Sequence, residues 1–166
     1  MDFFNQTGKL AIGSRLRMLT DKITVDAAAI YKMFGVDLKP KWFPVFFVLS
    51  RGEAKTITSI AKEIGHSHPS VSNIIKEMVA KGLVKETKDK SDGRRNMVML
   101  SAKGKRMSDS FSEQCIDVTA AIEQITQQTR NDLWEAIEEW ENLLLDKSLL
   151  ELSLIHISEP TRLRCI

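Results

Sequence analysis

The sequence predicts a mainly α-helical fold that carries one small β-hairpin. Three observations predict it. Apolar residues recur at helical spacing in long runs toward both ends of the 166-residue chain. Between them, residues 58–82 read as two short helices joined by a glycine turn, the layout of a helix-turn-helix. Directly afterwards, "LVKET" and "RNMVML" alternate as strands around a turn region containing Asp92-Gly93, a strong local hairpin signal. A hairpin placed there forms a wing. The expected architecture is therefore a winged helix-turn-helix with a helical region built from both chain ends.

Each element has its own signal. Residues 8–34 predict a long helix, because Ile12, Leu16, Leu19, Ile23, Ile30 and Phe34 recur at steps of three, four and seven, with Gly35 as its C-terminal cap. Pro40 and Pro44 frame "PKWFPVFFVLS", which is apolar on almost every side and so predicts a buried helix or one in a subunit interface. Thr58 is the expected N-cap of the next helix, with Ile60, Ala61 and Ile64 inward. Gly65 supplies the turn, Ser67 caps the second helix, and Pro69 suits its first turn. Val71, Ile74, Ile75 and Met78 face inward there, and Gly82 ends it. After the hairpin, Ser101 caps a helix with the stripe Met107, Phe111, Val118, Ile122 and Ile125. The segment 129–132 breaks it, and Leu133, Ile137, Trp140 and Leu144 mark a last helix.

Charge is distributed unevenly. Residues 51–106 carry 13 Lys and Arg against 6 Asp and Glu, whereas residues 107–151 carry 2 against 11. A basic middle beside an acidic segment points to a polyanionic partner for the middle. No apolar run approaches the roughly 18 residues of a membrane span, and the start lacks a basic-then-apolar signal layout. Two cysteines without metal-type neighbours fit a reducing cytoplasm. No Ser/His/Asp or Cys/His arrangement and no phosphate loop suggests an enzyme. The final "LSLIHISEPTRLRCI" shows no helical period and resembles a translated vector-linker tail. Residues 152–166 are therefore expected to be non-native, which leaves open a natural chain that continues past Glu151.

The helix-turn-helix, the wing with Asp92-Gly93-Arg94-Arg95, "LSAKG" after the wing and helices at both ends together resemble a MarR-type transcriptional regulator over about residues 5–147. On that resemblance residues 1–151 form a single domain. Dimerisation helices cover about 5–36 and 101–147, and the winged helix-turn-helix covers about 38–100. The opening "MDFF…GSRLR…IYK…KPKWFPVFFVLS" also resembles a subgroup in which this half precedes a GNAT-type acetyltransferase domain, so the alternative is the regulatory N-terminal half of such a fusion. No acetyl-CoA-binding motif occurs in these residues. The resemblance implies a bacterial, cytoplasmic homodimer that binds double-stranded DNA as a repressor. Its operator is near-palindromic, with half-sites about 34 Å apart, and a small molecule releases it. No cofactor is implied.

Candidate DNA-binding residues follow. On the second helix these are His68, Pro69, Ser70, Ser72, Asn73 and Lys76. Asn suits adenine, while Ser or His reads a base edge or holds a phosphate; without an Arg, strong guanine reading from this helix is not expected. On the wing, the resemblance implies that Arg94 enters the minor groove and that Asp92 orients it, while Lys88, Lys90 and Arg95 neutralise phosphates. In isolation each of these residues reads as an ordinary polar surface residue. Their shared layout favours DNA. His66 and His68 lack further ligands for zinc, so turn and cap roles are expected. Cys115 has the acidic neighbours Glu113 and Asp117, which disfavour a redox-sensing thiolate. Trp42, Phe46 and Phe47 are read as core packing before a ligand cavity.

Overall fold

The computed structural model describes residues 2–88 and 96–157. It is mainly helical with one small antiparallel sheet. The helices are α1 (Asp2–Thr7), α2 (Ile12–Met33), α3 (Phe43–Ser50), α4 (Ile57–Glu63), α5 (His68–Ala80), α6 (Ala102–Gln127), α7 (Leu133–Asp146) and α8 (Leu149–Ile157). The strands are β1 (Lys55–Thr56), β2 (Val84–Lys88) and β3 (Asn96–Leu100). The chain divides into two compact units, Met1–Asp117 and Val118–Ile166.

In the first unit, the expected helix over 8–34 begins later. Gly8 takes a positive φ of 54°, and a 3-10 turn over Gly8–Ala11 separates α1 from α2. Gly35 ends α2 at φ 65°, in the left-handed region that favours glycine. The apolar segment after Pro40 opens with a 3-10 turn and continues as α3, whose Val45, Phe46, Val48 and Leu49 are buried. Phe111 of α6 meets Phe46 edge to face, with ring centroids 4.8 Å apart. Trp42 and Phe46 thus join the core, as does the whole inner face of α5.

Two expectations are corrected. The cap of α4 is Thr56: its backbone is extended, and its Oγ1 accepts the Ser59 N–H at 3.1 Å. Thr58 lies inside the helix. The hairpin is also joined by a third strand, β1, giving the order β1-β3-β2 with Lys55 opposite Val98 and Thr56 opposite Met97. The second α5 expectation stands: Ser67 Oγ accepts the Ser70 N–H, and Pro69 sits in the first turn.

The segment after the wing has a tight physical logic. Leu100 is buried in the core. The Ser101 hydroxyl donates to Gly82 O at 2.5 Å, and its oxygen accepts the Gly104 N–H at 3.0 Å. Lys103 Nζ donates to Lys81 O at 3.1 Å. Gly104 packs directly against the Leu83 carbonyl, where a Cβ has no room. "LSAKG" is therefore a clasp that fastens the start of α6 to the end of the α5–β2 connection.

In the second unit, Asp132 caps α7 by accepting the N–H groups of Trp134 and Glu135. Ser148 and Glu151 form a reciprocal capping box at the start of α8, which runs on through Ile157. Residues 152–157 are thus helical, although the sequence shows no period there. Residues 158–166 lie outside the described residues. Among the described residues no helix is long and apolar enough to cross a membrane.

Candidate nucleic-acid interface

Helix α5 owes its position to its own amphipathicity. Val71, Ile75 and Met78 are fully buried and Ile74 nearly so, which turns the opposite face outward. On that face His68, Pro69, Ser70, Asn73 and Lys76 are exposed. Ser72, also expected outward, is half-buried, because it lies on the flank beside Val71. Lys88 is exposed at the end of β2, opposite Asn96 of β3. Lys90, Asp92, Arg94 and Arg95 lie outside the described residues. The structure therefore brings five of the six helix candidates to one face.

One residue of α5 was not singled out from the sequence. Glu77 accepts from Lys41 Nζ at 2.6 Å, Trp42 Nε1 at 2.9 Å and Lys39 Nζ at 3.5 Å. The Lys41 hydrogen bond, then that of Trp42, holds its carboxyl below the usual range. Lys39 also lies 5.0 Å from the centroid of the Trp42 ring. A signal existed in principle, since a buried tryptophan needs an acceptor for its indole N–H. What the sequence could not supply was the pairing across 35 positions. Glu63 plays a similar part for α4, accepting from Lys55 at 2.7 Å and lying 3.6 Å from Arg51. Part of the positive charge of the basic middle is thus spent inside the fold.

Other candidates resolve on burial. Phe47 is 38% exposed with the Arg51 guanidinium 5.1 Å from its ring, so it stands at the edge of the core. Burial pushes the Cys115 thiol up, opposite to the shift a reactive thiolate needs. Among the described residues no three His, Cys, Asp or Glu side chains gather as a metal site.

Residues 36–95 match the family model described as the MarR family. That match spans the helix-turn-helix and the start of the wing. Solved structures share the fold. A Staphylococcus aureus MepR–DNA complex superposes with a TM-score of 0.62 at 18% identity, over 81% of this chain and 96% of that one. The repressor CouR, bound to a 23-mer DNA duplex, gives 0.61 at 20% identity, over 84% and 96%. PcaV of Streptomyces coelicolor, in complex with its natural ligand, gives 0.60 at 13% identity, over 82% and 92%. No curated protein matches the chain.

Proposed function

We propose that the chain is a transcriptional repressor that binds near-palindromic operator DNA as a homodimer and is released by a small ligand. The observation that carries the reading is the face of α5, where His68, Asn73 and Lys76 stand exposed over a buried apolar side, within a module matching a MarR family model. Two solved structures of the same fold hold DNA, and one holds its natural ligand. In this reading α5 enters the major groove, and Asn73 offers its amide to adenine. The wing, with Lys88 at its foot and Arg94 near its tip, follows the adjacent backbone and minor groove. The chain carries residues 1–151 as one regulatory domain and works in the cytoplasm.

The dimer reading rests on apolar residues that helical spacing would bury and that this chain alone leaves open. On α2, Ile12, Leu16, Leu19 and Ile23 are 40–58% exposed. Ligand release is a shift of population: a ligand that favours a lobe spacing unsuited to both half-sites weakens binding.

The test is fluorescence-anisotropy titration of a duplex from the protein's own upstream region, with excess random DNA, at two salt concentrations. Tight binding that survives competition is expected, with a salt slope that counts phosphate contacts. Binding abolished by random DNA would contradict sequence-specific repression. Asn73→Ala should relax the preference at one half-site position by about 1–3 kcal/mol. Site selection from a random pool reads this directly, and an unaltered profile would remove Asn73 from base reading.

A further inference from the structure

A cleft of about 510 Å³ is lined by residues of the helix-turn-helix and of the sheet: Thr56, Ile57 and Thr58 at the start of α4, His68 at the start of α5, and Asn96, the first residue of β3. We propose that this cleft seats one phosphate of the duplex backbone, held by the Thr58 hydroxyl, the His68 imidazole and the Asn96 amide. The inference rests on the DNA-binding reading above and adds to it a specific phosphate contact.

Chemistry and placement support it separately. Among the described lining residues, four of five carry a side-chain hydrogen-bond donor and none carries a carboxylate. These described residues therefore offer donors to an anion. Thr56 supplies the cap of α4, so the Thr58 hydroxyl is not used for capping. Lys55, the cation next to the cleft in sequence, is held by Glu63 at 2.7 Å. Recognition here would come from fixed hydrogen bonds more than from net charge.

In placement, His68 belongs to the same helix as the exposed Asn73 and Lys76, and Asn96 pairs in register with Lys88 at the foot of the wing. The cleft thus joins the start of the recognition helix to the wing. A duplex that receives α5 in its major groove and meets the wing has a backbone strand passing between these two elements. A contact to that strand carries no sequence information, but it fixes how far the helix enters and in which register it reads. Thr58 and Asn96 would be positioning residues for Asn73 and its neighbours.

The experiment walks a single neutral methylphosphonate along each strand of the operator duplex and measures affinity for the wild type, Thr58→Val and Asn96→Ala. At one position in each half-site, neutralisation should weaken the wild type about tenfold. The same change should cost either variant less than about twofold, the mark of a shared contact. Asn96→Asp tests the site by charge: it should weaken binding to the unmodified duplex more than Asn96→Ala does, and recover on the duplex neutralised at that position. Thermal unfolding confirms that each variant is folded. Failure of the unmodified operator to compete with random DNA overturns the DNA-binding reading itself. Normal operator binding, with every methylphosphonate costing wild type and variants alike and no recovery of Asn96→Asp, overturns the phosphate seat alone.

Discussion

At the scale of single residues, the most constrained position is Gly104. Any side chain there meets the Leu83 carbonyl, which is backbone and cannot swing aside. Gly104→Ala should therefore destabilise by about 1–3 kcal/mol through overpacking, although alanine is the better helix former. Urea unfolding at constant slope would show it, and an unchanged midpoint would mean that the clasp relaxes freely. Tyr31 makes a second residue-scale prediction. It is 4% exposed, and burial first, then the neighbouring Cys115, pushes its phenol up to about 12, against a lowering hydrogen bond from Gln114. The folded state holds this proton more tightly than the unfolded state, whose phenol titrates near 10. Stability from Tyr31 is thus complete below pH 10 and is lost as pH rises from 10 toward 12. The melting temperature of the wild type should fall relative to Tyr31→Phe as pH rises from 10 toward 12; a difference that stays constant over that range would refute it. Glu77 behaves in the opposite sense, because its carboxyl is held low. Its contribution is present above the ordinary carboxylate range and disappears as pH falls through its folded value.

At the scale of elements, helix identity was legible for α2, α4, α5, α6 and α7, which carry periodic faces, and α5 was legible to the residue because Ser67, Pro69 and Gly82 mark both its ends. What escaped the sequence depends on partners elsewhere in the chain. Strand β1 is only Lys55 and Thr56, too short for any alternation, and exists because β3 lies beside it. That pairing holds Thr56 extended, which makes Thr56 rather than Thr58 the cap of α4. Local sequence points to Thr58, because the strand pairing that fixes Thr56 involves residues some forty positions away. The distinction can be measured. Thr56→Ala should cost about 0.5–2 kcal/mol as a lost cap, whereas Thr58→Ala should stay within about 0.5 kcal/mol as an exposed substitution. Chemical denaturation of the two variants side by side decides it, and equal losses would contradict the assigned cap. The Glu77 tie escaped for the same reason: Lys39, Lys41 and Trp42 precede it by 35 to 38 positions and meet it only once α3 and α5 have packed.

At the scale of the whole molecule, the periodic stripes and their exposure have to be reconciled. Leu133, Ile137, Trp140 and Leu144 of α7 recur as one apolar stripe, yet they are 40–53% exposed, and α2 repeats the pattern. A soluble chain rarely leaves such contiguous apolar faces in water. Scattered exposed leucines would need no explanation, but stripes at helical period do. A second copy of the chain fits the combination of apolar stripes with an otherwise acidic segment, since residues 107–151 hold 11 Asp and Glu against 2 Lys and Arg and so are poorly suited to lie against DNA. In the proposed dimer, partition of charge and partition of role coincide: the basic middle would meet the duplex while the acidic, striped helices would meet each other. Two winged lobes held as a pair convert two modest half-site affinities into one bivalent engagement, which exceeds either alone by about 10²–10⁴ when the spacing fits. Trp140→Glu places a charge in the middle of the α7 stripe. Sedimentation should then show the mass falling from two chains to one, with operator affinity falling at least about a hundredfold while the fold of the winged module persists by circular dichroism. Loss of DNA binding without loss of the dimer would break this link between assembly and recognition, and a variant that stays dimeric and binds normally would remove α7 from the interface.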